Sequence, residues 1–465
     1  MHLRSWRFAA GGGGLWPERA VDPAQGRCGG ARGLCAGFQL MDLPGSPHIA
    51  YRGGELCVEL CALDALARRF GTPLYVYSQA AILHALGGYQ GALLGREHLI
   101  CYAMKANSNL AVLQLLARQG CGFDIVSVGE LERVLAAGGQ ADKVLFSGVG
   151  KTRPEMKRAL QLGVLCFNVE SSAELEVLSD VATQLGRTAR VSLRINPDVD
   201  AKTHPYISTG LKSNKFGIAH GQALASYLRA AALPGLEVLG IDCHIGSQIT
   251  QIGPYLDALD RLLDLIESVE KHGLEIRHLD LGGGLGITYS DESPPAASDL
   301  VHAMLARIDA RGHSHRKVLL EPGRSLLGNA GVLVSEVLYL KPGEEKNFCI
   351  VDAAMNDLMR PAMYGAWMDI RACRLRDGPS ATYDVVGPIC ESGDWLGRER
   401  ALNVAAGDHL AVLSAGAYSM SMASNYNSRA RPAEVMVSGS QAWLIRERER
   451  LDELFRGERL LPDGA

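Results

Sequence analysis

The chain has 465 residues, 47% of them hydrophobic, and a formal net charge of −4; at ~150 residues per domain it can build two or three cores. A near-neutral balance, with no strong basic block after the first forty residues, argues against a nucleic-acid partner and for small-molecule ligands. The eleven cysteines form no CxxC pair and read as thiols of a reducing, cytoplasmic compartment, and no apolar run approaches the ~18 residues that span a bilayer, so no membrane partner is expected.

Residues 1–40, opening MHLRSWRFAAGGGG, are rich in Gly and Arg and lack the pattern of a secretory signal. They read as a disordered extension; an organelle-targeting segment and a true start at Met41 are the alternatives. Residues 41–80, with the run TPLYVYS, are expected to lend a strand to a second domain. Cys57 and Cys61 within them could share one helical face.

From residue 98 a single rhythm takes over, a short apolar or β-branched run followed by a helical pattern, which is the mark of a parallel sheet. Eight such runs occur: HLICYAMK, GFDIVS, KVLFSG, VLCFNV, RVSLRIN, LEVLGIDCHIGS, IRHLDLGGG and KVLLEPGR. Ser127 and Ser171 stand where helix N-caps belong. Eight near-equal units in residues 81–325 predict an α/β TIM (β/α)8 barrel, with a doubly wound sheet as the alternative. In residues 326–465 the runs AGVLVSEVLYL, NFCIVDAA, YDVVGPI and DHLAVLSAGAYS are separated by Gly, Pro and Asp turns without long helices. They predict a C-terminal antiparallel β domain, a barrel or sandwich.

A TIM barrel carries its chemistry at the C-terminal ends of the strands and often holds a phosphate at the loops after strands seven and eight. Here that rim receives Lys105, Arg194, His244, Ser247, Gly282, Gly283, Gly284, Glu321 and Arg324. Lys105 ends a strand lined by Leu99, Ile100, Tyr102 and Met104, a costly place for an ammonium that is neither paired nor converted. LGGGLGI departs from GxGxxG and follows a late strand, so a dinucleotide is set aside. Its amides can instead wrap a phosphate monoester, which Arg324 would grip in a bidentate fork.

A lysine, a phosphate cradle, a carboxylate and a flat ring at one rim match the needs of pyridoxal 5'-phosphate. Each feature has an ordinary reading too: a tight barrel turn for the glycines, a core histidine for His244, an ion pair with Arg324 for Glu321. None of these accounts for all four together. A cofactor-free barrel using Lys105 for aldol chemistry would leave the glycine loop and Glu321 unexplained.

The stretches YAMKANSN, GFDIVSVGEL, HIGSQI, LDLGGGLGI and EPGR resemble the fold-type III pyridoxal-phosphate decarboxylases. NPDVDAKTHPYISTGLKSNKFGI, RPAMYGAW, CESGDWLG and GAYSMSMASNYNSRARPAEV are similar specifically to the diaminopimelate decarboxylase branch. The resemblance runs from about residue 45 to 445 and implies decarboxylation of meso-diaminopimelate to L-lysine. It implies Lys105 as the imine lysine, His244 stacked on the cofactor ring, and Ser247, Gly283, Gly284, Glu321, Gly323, Arg324 and Tyr418 as cofactor contacts. Arg324, Arg360, Tyr364, Glu391 and Tyr418 would hold the substrate, and Cys390 would donate a proton. It also implies a homodimer whose CESGD segment reaches the neighbouring subunit's site. Cys390 could otherwise be a small buried hydrophobe. A pair of arginines suits a substrate with a distal carboxylate, which ornithine and arginine lack. His313 and His315, in RGHSHRK, have no acid or Cys cluster beside them in sequence and read as solvated; no metal is expected.

Overall fold

The computed structural model describes residues 43–200 and 214–463; the N-terminal extension and most of the TGLKSN stretch lie outside them. The eight runs become eight parallel strands: His98–Ala103, Gly122–Ile125, Val144–Phe146, Cys166–Val169, Ala189–Asn196, Leu236–Asp242, His278–Asp280 and Lys317–Leu320. Each pairs with its sequence neighbour, and the eighth closes on the first through Val318 opposite His98.

Strand periodicity explains why the first strand is apolar on both faces. Ile100 and Tyr102 join the large core shared with the surrounding helices. Cys101 belongs to a separate small cluster with Leu145, Cys166 and Leu319. Between strands, Ser127 and Ser171 cap their helices, accepting from the amides of Glu130 and Glu174. Each such cap is worth about 1 kcal/mol.

The second sheet is mostly antiparallel and is built around the long strand Gly331–Lys341. Leu74–Ser78 pairs antiparallel with that strand and parallel with Ala433–Ser438, so a segment that precedes the barrel in sequence lies inside this sheet. A second parallel pair joins Asn347–Val351 to Ala381–Val386. Cys57 and Cys61 lie on adjacent antiparallel strands rather than a helix.

The sheet is anchored to the turn that carries Lys105. Tyr418 N–H donates to Ala106 O at 2.7 Å, Asn107 Nδ2 to Gly416 O at 3.3 Å, and Asn109 Nδ2 to the buried Glu434 at 2.9 Å. His313 corrects the sequence reading: it is buried, accepting from Arg316 Nε at 3.2 Å with Glu267 at 3.5 Å on its other nitrogen. Tertiary packing supplies the acid that the local sequence lacks. Among the described residues, no helix is long and apolar enough to cross a membrane.

Candidate active site

Lys105 sits in the single 3-10 turn Met104–Ala106 that ends the first barrel strand. Its Nζ donates to Asp124 Oδ2 of the second strand at 3.1 Å. Burial alone would lower the lysine's pKa, but Asp124, Tyr418 and Glu321 outweigh it and hold the amine above its ordinary value. The partner that this charge requires is Asp124, whose only signal in the sequence is its place within GFDIVS.

Around the lysine, the interior of the barrel mouth is acidic. Asp124, Asp242, Asp280 and Glu321 are all buried, and Asn168 Nδ2 reaches both Glu321 Oε1 at 3.3 Å and Asp280 Oδ2 at 3.5 Å. Burial, then the neighbouring acids, push Glu321 and Asp242 well above the carboxylate range and Asp280 up to about 6. Arg194 is committed to Glu170 at 2.8 Å, with Asp242 4.0 Å away. Asp242, Asp280 and Glu321 offer three converging oxygens. With Asn168 donating into the group and no open face toward solvent, the donor set suits shared protons better than a hydrated cation.

His244 ends the sixth strand's run. Its Nδ1 accepts from Gly283 N–H at 3.2 Å, so any ring proton is on Nε2. Burial, with Arg194 and Lys105 nearby, drives its pKa well below the usual histidine range and keeps the imidazole neutral. A neutral flat ring fits the face of an aromatic cofactor.

The glycine loop is set by close backbone approach. A Cβ on Gly283 would stand 2.1 Å from Glu321 O, and one on Gly284, at φ +98°, would stand 2.2 Å from Gly246 O. Any side chain there would push apart the loops after strands six, seven and eight. The amides of Gly282 and Gly283 are already bonded to Asp280 and His244. Among the described residues, those of Gly284, Gly323 and Arg324 have no acceptor and are the donors left for a phosphate.

Arg324 is 4% exposed, yet among the described residues its guanidinium meets neutral groups: Tyr289 Oη at 2.5 Å, Ser247 Oγ at 2.9 Å and the Tyr418 ring at 4.8 Å. Its Nε has no partner. Arg360, from the short helix Arg360–Tyr364, lies over the Tyr289 and Tyr364 rings at 5.4 and 5.6 Å, and its Nε is likewise buried without a partner. Burial lowers its pKa, and Arg324 beside it adds to the effect. Two buried guanidiniums with no carboxylate between them form a strong anion site. Tyr418 completes this wall with φ +55°, a strained conformation for a bulky residue costing about 1–3 kcal/mol.

Cys390 and Glu391 stand apart. Both are exposed. The Cys390 amide donates to Asn427 Oδ1 at 3.0 Å, and Glu391 accepts from Tyr426 Oη at 2.9 Å. Among the described residues, neither has a hydrogen bond or ion pair with the rim. Tyr289 was missed from sequence because it lies beyond the seventh strand's glycine loop, in a stretch whose pattern marks it only as apolar.

The pyridoxal-binding domain of the pyridoxal-dependent decarboxylases matches residues 80–328. Diaminopimelate decarboxylase of Pseudomonas aeruginosa is 60% identical over 413 residues, covering 89% of this chain and 99% of the relative. That of Vibrio cholerae is 57% identical over 410 residues, 88% of this chain and 98% of the relative. Among solved structures, diaminopimelate decarboxylase from M. jannaschii in co-complex with L-lysine is similar with a TM-score of 0.86 and 39% identity, covering 90% of this chain and 99% of that one. The Helicobacter pylori enzyme complexed with L-lysine follows at 0.81 and 41%, covering 84% and 98%. With the lysine, the neutral histidine, the free amides and the paired arginines gathered at one barrel rim, the chain belongs to the diaminopimelate decarboxylase family of pyridoxal-dependent enzymes.

Proposed function

We propose that this protein uses pyridoxal 5'-phosphate to remove carbon dioxide from meso-2,6-diaminopimelate and release L-lysine, the last step of lysine biosynthesis by the diaminopimelate route. The observation that carries the reading is the buried Arg324–Arg360 pair, which lacks a counter-anion among the described residues beside the lysine-bearing rim. A substrate with a second amino-carboxylate end fills that need, whereas a simple diamine precursor leaves it unmet.

Lys105, held in place by Asp124, would supply the amine for the cofactor's aldehyde. The amides of Gly284, Gly323 and Arg324, with Ser247, would hold the phosphate, in a loop whose shape Gly283 sets. Glu321 would partner the ring nitrogen, the neutral His244 would pack on the ring, and Tyr418 would line the opposite wall. When bound, pyridoxal phosphate supplies an electron sink for the pair left by the departing carboxylate. Arg324 and Arg360 hold the distal carboxylate, with Tyr364 packed on Arg360.

Cys390 and Glu391 are read as parts of a shared site: in a homodimer they serve the neighbouring subunit, Cys390 delivering the proton and Glu391 gripping the distal ammonium. Their exposure and their lack of rim contacts support that reading. A cytoplasmic setting suits the free cysteines. The direct test is to incubate the purified, cofactor-loaded protein with meso-diaminopimelate and measure lysine and carbon dioxide. Lysine formation that disappears in Lys105→Ala is expected, and a clear preference for ornithine would overturn the assignment.

A further inference from the structure

The proposed chemistry uses Glu321 but gives no role to the acids behind it. One carboxylate oxygen from each of Asp242, Asp280 and Glu321 lies within 4.8 Å of the other two, and Asp280 and Glu321 both face Asn168 Nδ2, at 3.5 and 3.3 Å. Donors are scarce there. Asn168 Nδ2 divides its protons among Ser147 Oγ, Asp280 and Glu321, while the buried Asn168 Oδ1 and Asp242 Oδ1 have no partner. Two buried carboxylates this close, with no cation between them among the described residues, cannot both be ionised at neutral pH. The missing donor must be a proton on one of them.

We propose that Asp280 and Glu321 act as a pair holding one proton at neutral pH, with Asp280 the positioning residue that receives the Glu321 hydroxyl and fixes its orientation. The direction of the hydrogen bond follows from the surroundings. Asp280 Oδ1 accepts the Gly282 amide at 3.0 Å and its Oδ2 faces Asn168 Nδ2 at 3.5 Å, two donors that favour its ionised form, whereas among the described residues Glu321 faces Asn168 alone of these, at 3.3 Å. Among the described residues, the other charges facing the pair are Asp124 and Lys105 from the first two strands, Arg194 from the fifth and Asp242 from the sixth. Cys101 lies beside both acids and Cys166 beside Asp280, and each is held as a neutral thiol by burial. Glu321 therefore has its proton turned toward Asp280, which leaves its other oxygen as an acceptor for a protonated ring nitrogen. This consequence rests on Glu321 facing the cofactor, as proposed above.

The test is infrared difference spectroscopy of the full-length protein, with and without pyridoxal phosphate, titrated from about pH 5 to about pH 8. The cofactor-free protein should show a carboxyl band that is lost near pH 6. Asp280→Asn should abolish that component. Asn168→Ala should move it to higher pH, because it removes a donor that favours the ionised form. Asp357, whose carboxyl is raised to about 7 by burial in a turn outside the barrel strands, gives a second component that should persist in every variant as an internal reference. If Asp280→Asn does not fold, Asn168→Ala alone decides. No component near pH 6, or one unchanged by either substitution, overturns the pair. Failure of the cofactor reading is separate: Glu321→Gln would then bind pyridoxal phosphate with an unaltered visible spectrum, whatever the infrared result.

Discussion

Lys105 Nζ and Asp124 Oδ2 are 3.1 Å apart across the first two barrel strands, an ion pair in which the carboxylate is fully covered and the lysine keeps 40% of its side chain accessible at the barrel mouth. The carboxylate is spent on one task, holding the ammonium.

Removing that charge should free the amine. In Asp124→Asn the largest of the groups that oppose the downward pull of burial on the lysine is removed. The pH profile for uptake of pyridoxal phosphate by cofactor-free protein should then shift to lower pH by about one unit or more. Stopped-flow absorbance measures it, and an unchanged profile would show that Asp124 does not control the amine.

The arginine wall should set affinity for the distal carboxylate. Arg360→Met is expected to lower kcat/KM by a hundredfold or more, about 3 kcal/mol, with cofactor absorbance retained. Arg360→Lys should recover little, since a point charge cannot replace the planar fork. Steady-state kinetics with diaminopimelate decide it; a loss confined to the cofactor spectrum would move Arg360 out of the substrate pocket.

Shared sites can be tested by complementation. Lys105→Ala and Cys390→Ala, each inactive alone, should recover about a quarter of wild-type activity when mixed and reassociated, because one site in each heterodimer is then whole. Cys390→Ala should also bind the cofactor normally. Recovery at background level would place Cys390 outside any shared site.

One buried acid away from the barrel should make stability depend on pH. Asp357 is raised to about 7 by burial, against backbone and Arg429 contributions that lower it. The folded state therefore binds its proton more tightly than the unfolded chain does. The stability this provides is complete below the unfolded value of about 4 and is lost as pH rises through about 7. Thermal unfolding followed by circular dichroism should show this contribution as a fall in Tm between about pH 4 and about pH 7 that levels off above it. Asp357→Asn should flatten that slope; an equal slope in the variant would assign it to another group.

Much of this was written locally. The eight strands were legible because each apolar run and each helical period is a property of neighbouring residues, and Ser127 and Ser171 cap their helices through amides only three positions on. Lys105, His244, Glu321 and Arg324 could be placed at one rim once closure of eight units was accepted. Two parallel pairings in the second sheet, and the burial of His313, were not legible, since both depend on distant partners. The same limit hid Asp124, Asn168, Asp242 and Asp280, each an ordinary polar residue within a short strand. Asn168 meets Glu321 from 153 positions away. Barrel closure alone brings these side chains together, and burial then changes what they are. An aspartate in solution is a charge, whereas an aspartate touching a second buried carboxyl must share a proton with it.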